Sequence, residues 1–454
     1  GNYTLQEPLI KYNPYFLNAL SAVILFKMEE KTAVTVLVKG KTPQADFYQT
    51  FHKAREHILP ILGLYSNYDN QIEIYPWQRY IEKVTHVIRT PQTKGDQLIE
   101  KMETTPEYLQ DQVIFLCPAI SDLALAVDYA GDVRLEFTET LVWDINRLPN
   151  GNFLMGTERL VRMPYFVTGL YELSPVGKIY KEYRLPHGYH HDQITLPNGD
   201  IVALNSNFPE GTVEDMAVVL DQATGQMKKL FNFSDVIRPG AQKSCSWSDE
   251  DWFHCNGLWY DEYSNSLTLS SRHMNALVNI DFNTSVLNWI ISDPEGWPKE
   301  YQDYLFTPSG EGDFDWSYEQ HSPLITPLGD VMCFDNHQYG SQSPEHYTAA
   351  NDSFSRSVKY RIDTEEMQIE QVFQYGKERG KDFYSPYISN TIYYNEGHYL
   401  THSGGIAYDS EGRASTELGP FAQLEDPDVI LKSITVETVH DEVVLELEVN
   451  SNYY

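Results

Sequence analysis

Three histidines stand at one repeated place in this sequence. His321 lies six residues before Pro327, at the turn Pro327–Asp330, and His191 lies six before Pro197, in the turn Leu196–Gly199. The same count back from Pro149 reaches Trp143, and from Asn395 it reaches Ser389. The longer turn Asp261–Ser266 puts His254 seven residues ahead. Each turn joins two apolar runs, as hairpin turns do. One histidine in a strand is most often a hydrogen-bonded structural residue. Three at an equivalent position form a candidate cluster. Neutral imidazoles can hold zinc, manganese or iron, or they can act as nucleophile and acid–base on an anion. Arg272, in the stretch "SSRH" that ends the second run of the His254 hairpin, favours the second chemistry. A guanidinium is repelled by a dication but clamps an oxyanion bidentately. No metal ligand and no cofactor is therefore assigned.

Residues this far apart converge only on a fold that repeats. From about residue 116 the turns recur every 48 to 68 residues, the period of four-stranded propeller blades. The expectation is an all-β chain: a β-propeller of about six blades over 116–454, with the starts of its inner strands ringing the channel, favoured by the even spacing over a twin-sheet sandwich with long loops. Residues 1–115 lack this period. Their alternating stretches at Ala33–Lys41 and near Asn70 predict a small β-sandwich-like domain. The charged segment "TKGDQLIEKMETTPEYLQDQ" predicts a short helix or a loop between the two.

Composition sets the limits. Thirty-two Tyr and 20 Phe favour strands, and the net charge of −32 excludes a nucleic-acid binder, which needs a basic face. An anionic substrate would need a local cationic pocket against that field. No stretch reaches the roughly 18 apolar residues of a membrane span. The chain starts at Gly1, which leads to the expectation that a signal or anchor segment was trimmed. The four cysteines show no CxxC spacing, and Cys255 and Cys333 are expected to be buried free thiols.

The stretches "YNPYFLNALSAVI", "ILPILGLYSNYDN", "HHDQITLPNGD", "DWFHCNGLWYD", "SSRHMNALVNID", "EQHSPLITPLGD", "SRSVKYRID" and "YGKERGKDFYSP" resemble those of the bacterial aryl-sulfate sulfotransferases, which use no nucleotide sulfate donor. The resemblance implies an N-terminal β-domain, a six-bladed propeller and sulfuryl transfer between phenols through a sulfated histidine. It puts the nucleophile on His321, the helpers on His254 and one histidine of "HHD", and the anion clamp on Arg272. Blade equivalence selects His191 over His190. His190, Ser389, Asn336 and Tyr384 stand as candidate substrate contacts, and Trp143 and Trp252 as aromatic partners for phenol rings. His337, where the family more often has a small residue, is a departure that bears on the acceptor pocket. Implied partners are an aryl sulfate donor, a phenolic acceptor and a second copy in a homodimer; the implied location is the periplasm or another exported compartment. Two rival readings remain: a metal-dependent propeller lyase or hydrolase with the histidines as ligands, and a non-catalytic ligand-binding propeller.

Overall fold

The structure is a computed structural model, and it describes residues 3–78, 82–109, 111–119 and 122–454. Its described residues form seven sheets. The first is the N-terminal domain, and its backbone is the 17-residue strand Ala22–Val38. This strand pairs with Phe47–Ile61 along one edge, and with Leu9–Tyr12 and Asp69–Pro76 along the other. A break in register between Lys27 and Thr32 divides it into two halves. The five strands form one hydrogen-bonded sheet, and both halves contribute to one core, Ile24 and Phe26 from the first and Val34, Val36 and Val38 from the second. Alternation decides its inner face: Ile24, Val34, Val36, Ile72 and Ile74 are buried, while Thr35 is half-buried and Gln71 exposed on the other side.

The other six sheets follow in chain order. Each expected turn closes an antiparallel hairpin. The pairs are Val142–Arg147 with Phe153–Gly156, Gln193–Thr195 with Ile201–Asn205, and Cys255–Asp261 with Ser266–Ser271. His321–Ile325 pairs with Val331–Asp335, and Asn390–Asn395 with His398–Tyr408. The Pro-containing turns share one backbone bond pattern: Gly151, Gly199 and Gly329 each donate to the carbonyl three residues back. All three glycines have φ between +85° and +89°, a left-handed geometry that glycine adopts without strain. The leading strands of successive hairpins lie side by side, from Val142–Arg147 round to Asn390–Asn395. This is a propeller-like arrangement of an all-β chain.

One strand departs from the expectation. Ile99–Thr104 lies in the segment predicted as helix or loop, and before residue 115. It adds antiparallel to Glu442–Val449 at the edge of the last sheet. Its charged, alternating residues suit an edge strand, where one side faces water. The pairing ties the beginning of the ring to its end. The core of the first domain continues into Leu116, Leu125 and Val127 of the second sheet and Leu445, Leu447 and Val449 of the last.

Candidate active site

The turn arithmetic has a backbone signature. Trp143, His191, His254 and Ser389 all have positive φ, from 47° to 98°. Such a conformation costs a non-glycine residue about 1–2 kcal/mol, and outliers of this kind gather at functional sites. His321 is the exception: its neighbours Glu319 and Ser322 carry the positive φ instead. Each of these residues enters or begins the leading strand of its hairpin, and the rings of Trp143, His191 and His254 come into contact.

His321 is buried, and its Nδ1 lies 2.7 Å from Asn336 Oδ1. The Asn336 amide is fixed, because its Nδ2 donates to Ser385 O at 2.7 Å and Ile388 O at 2.9 Å. Oδ1 must therefore accept, and His321 Nδ1 carries the proton. Burial and then the Arg272 charge hold the ring well below its ordinary pKa, so it is neutral and Nε2 keeps a bare lone pair. Asn336, expected as a substrate contact, lies behind the ring and sets its tautomer.

His254 is the opposite case. Its Nδ1 lies 2.6 Å from Asp251 Oδ2 and 3.0 Å from Glu214 Oε2. Burial disfavours its charge, but these two carboxylates outweigh burial and raise it to about 10. The ring is an imidazolium, stacked at 4.3 Å on His273. His273 stays neutral, held at about 4 by burial and by the His254 charge. Its Nδ1 donates to Asp251 O at 2.6 Å, and its Nε2 accepts from Arg272 Nη1 at 3.0 Å.

Arg272 is anchored at several points. Nη2 pairs with Glu319 Oε2 at 2.6 Å and donates to Gln338 Oε1 at 2.8 Å, while buried Nε has no partner among the described residues. Glu319 is wholly buried. Burial alone would raise its carboxyl, yet Arg272, His273 and the hydroxyls of Ser244 and Ser246 hold it below the ordinary value.

His191 and His190 face each other, with their Nδ1 atoms 3.0 Å apart. His190 Nε2 donates to Asn205 O at 3.1 Å. Burial lowers both rings' pKa values. Neutral His190 then accepts the Nδ1 proton of His191, which leaves His191 Nε2 bare. The His191 ring packs on Trp143 at 4.4 Å and stands 5.1 Å from the His254 ring. His191 is thus the member of the pair that meets the cluster, and His190 supports it.

The remaining candidates divide. Trp143 joins the cluster. Trp252 does not: it is in the core between sheets, with Nε1 on Asp215 Oδ2 at 3.1 Å. The Ser389 hydroxyl accepts from Gly404 N and bonds Ser385 Oγ, both at 2.9 Å. Tyr384 is buried with its hydroxyl 3.1 Å from Thr416 Oγ1. His337 stacks on Phe354 at 4.0 Å. Cys117, Cys255 and Cys333 are buried free thiols, and Cys245 is free and exposed.

Several site residues were not read from the sequence. Asp251 lies three residues before His254, and Glu319 two before His321; adjacency to a candidate histidine was the only signal. Glu214, hydrogen-bonded by Tyr165 Oη at 2.7 Å, had none. Tyr454 has its ring centroid 6.0 Å from His321 and 6.1 Å from His191, and donates to Asn256 O at 3.0 Å. A cavity of about 670 Å³ touches His191, Asn256 and Tyr454 but not His254, His321 or Arg272, so Tyr454 lies where this cavity and the cluster meet.

Among the described residues, two side-chain groups have ligand atoms close enough for a metal ion: His190, His191 and Glu214, and Asp251, His254 and His273. Neither unites His191, His254 and His321. The cluster instead sets the neutral His321 imidazole near enough to the Arg272 guanidinium and the His254 imidazolium for both charges to lower its pKa. Two cations beside a neutral imidazole make a local cationic site in an otherwise acidic chain.

The arylsulfotransferase (ASST) family model matches residues 98–454, and the arylsulfotransferase Ig-like domain matches residues 9–91. The chain belongs to the arylsulfotransferase family. It is 26% identical over 354 residues to "Arylsulfate sulfotransferase AssT" of Escherichia coli O6:H1, covering 63% of this chain and 58% of that protein. A protein of the same name from Lelliottia amnigena is 26% identical over 348 residues, 61% of this chain and 56% of that one. The chain thus spans under two thirds of these curated relatives. Among solved structures, regucalcin from Agrobacterium tumefaciens aligns with a TM-score of 0.37 at 10% identity, covering 78% of this chain and 90% of that one.

Proposed function

We propose that this chain is a nucleotide-independent aryl-sulfate sulfotransferase working by a ping-pong route through sulfohistidine at His321. The observation that carries this reading is the fixed Asn336 amide, which leaves His321 neutral with Nε2 unprotonated. An uncharged nucleophile is not repelled by a sulfate monoester.

The chemistry balances as follows. Arg272 and the His254 imidazolium draw in the sulfuryl oxygens and stabilise the charge that builds on them. His321 Nε2 attacks sulfur, the N–S bond forms and the S–O(aryl) bond breaks. The departing phenolate takes the proton of His254. An acceptor phenol then returns a proton to His254 and attacks sulfur, and the N–S bond breaks. A tyrosyl phenol titrates at about 10, and His254 is raised to about 10 as well. Proton exchange between them is then nearly balanced in both directions, which suits a reversible transfer. His191, with a bare Nε2, receives the acceptor's hydroxyl hydrogen bond. Ser389 and Tyr384 shape the walls, and Trp143 stacks under the ring.

We read the six sheets after the first as six blades, and place the domain boundary between residues 91 and 98, where the two family models leave a gap. Export to the periplasm and a homodimer belong to the same reading. No helix among the described residues is long and apolar enough to cross a membrane. Initial rates measured over a grid of phenyl sulfate and acceptor phenol test the mechanism. Parallel double-reciprocal lines are expected. Intersecting lines would mean that both substrates must bind before transfer and would overturn the sulfohistidine route. Loss of activity on chelation, restored by a stoichiometric transition metal, would favour the metal-dependent reading.

A further inference from the structure

A second cavity lies where the first domain meets the ring of sheets, and its volume is about 300 Å³. Its aromatic walls come from both sides. Phe47 and Phe51 belong to the strand Phe47–Ile61, Phe115 to Val113–Leu116 and Phe153 to Phe153–Gly156. The last two meet edge to face at 5.4 Å. The charged residues along this cavity are Arg134 and Arg147, with no Asp or Glu among them. That is unusual in a chain with 65 acidic and 33 basic residues. The surrounding field repels anions, so a cavity whose only charged lining residues are cationic stands against it.

Arg134 is 1% exposed and held in place. Its Nε donates to Gly63 O at 2.8 Å, and its Nη1 to Ala45 O at 3.1 Å and Asp128 Oδ2 at 2.8 Å. Its guanidinium lies 4.2 Å from the Phe47 ring centre and 3.9 Å from that of Tyr65. Only Nη2 has no partner among the described residues. A buried donor without an acceptor is costly, and a ligand oxygen removes that cost. Gly63 has φ +73°, and a Cβ there would fall 2.2 Å from the Phe47 ring. Glycine is what lets Phe47 close over the guanidinium. Arg147 is exposed and makes no ion pair among the described residues.

We propose that this cleft binds a small anion built on one aromatic ring: an aryl sulfate, sulfonate or carboxylate. The acidic group sits on Arg134 Nη2, with Arg147 adding charge at the entrance, and the ring packs edge to face among the phenylalanines. The volume is at the small end of ligand pockets, enough for one substituted ring. None of these residues belongs to the histidine cluster, so the site is separate from the catalytic one and is read without turnover.

The test uses 4-bromobenzenesulfonate, in which sulfur is bonded to carbon and cannot be transferred. Crystals of the whole chain grown with it should show a bromine anomalous peak between Phe51 and Phe153, with the sulfonate on Arg134 Nη2. Titration calorimetry in solution should show a site whose affinity falls at least tenfold in Arg147→Glu, while kcat/KM for aryl sulfate is unchanged. Arg147 is exposed, so this variant avoids the folding risk of removing Arg134 from Asp128. Bromine found only beside His321 and Arg272, or binding at crystal concentration only, would overturn the proposal.

Discussion

Replacing Asp251 with Asn removes one of the two charges that keep His254 an imidazolium, while leaving an oxygen to accept from Nδ1. The rise of His254 from 6.5 to about 10 corresponds to about 5 kcal/mol of preference for the charged ring, at 1.36 kcal/mol per pH unit. Asp251 is the nearer carboxylate, 2.6 Å against 3.0 Å for Glu214, and it supplies about half or more of that preference. Its loss should lower the His254 pKa by about two pH units. In the proposed route the protonated ring is the acid, so activity is lost as pH rises through this pKa. The basic limb of kcat for phenyl sulfate should therefore move from near pH 10 to near pH 8. With 4-nitrophenyl sulfate, whose phenolate leaves readily without a proton, the donor half-reaction should change much less. The assay is stopped-flow release of the phenol under single-turnover conditions from pH 6 to 11. If the basic limb stays in place for both donors, His254 is not the proton donor and Asp251 does not act through it.

Other outcomes follow from the same contacts. His321→Asn should lower kcat by at least about 10⁴-fold with little change in melting temperature, because the nucleophile acts as a unit with its partners. Arg272→Lys keeps charge but loses the planar fork, and should cost about 10²–10³ in kcat. Arg272→Ala should also destabilise the fold by about 3–5 kcal/mol in urea unfolding, since it leaves buried Glu319 without its cation. Acid should weaken the fold through His273 and His402, both held near 4 chiefly by burial. The unfolded chain takes up protons these folded rings refuse, so stability falls as pH drops from 6.5 toward 4, by about 3 kcal/mol per ring. Urea midpoints measured across that range check the sign and the size.

The legible part of this chain was its punctuation. A Pro–Gly turn fixes hairpin register, and register fixes which residue starts the leading strand, so counting back from turns located His191, His254, His321 and Trp143. The count missed a finer feature: His321 lacks the positive φ of its equivalents, and the turn alone does not set that. The carboxylates were illegible for a compositional reason. Among 65 acidic residues, nothing in sequence separates buried Glu214 from solvated ones, and Glu319 is marked only by lying two residues before His321; the cations they face are what set them apart. Asn336 was placed near the site but on the wrong side of the histidine, because sequence carries no depth. The strand Ile99–Thr104 was hidden by its charges, which read as loop yet mark an edge strand once Glu442–Val449 supplies the partner.

Whether His321 Nε2 carries the sulfuryl group between substrates is decided by mixing the protein with excess phenyl sulfate in the absence of acceptor, quenching at alkaline pH and taking an intact mass. One added SO₃ per chain is expected, located on His321 by peptide mapping, lost on adding a phenol and absent in His321→Asn. An unmodified wild-type chain that nonetheless turns over aryl sulfate, or a sulfuryl group mapped to another residue, would contradict a sulfohistidine at this position.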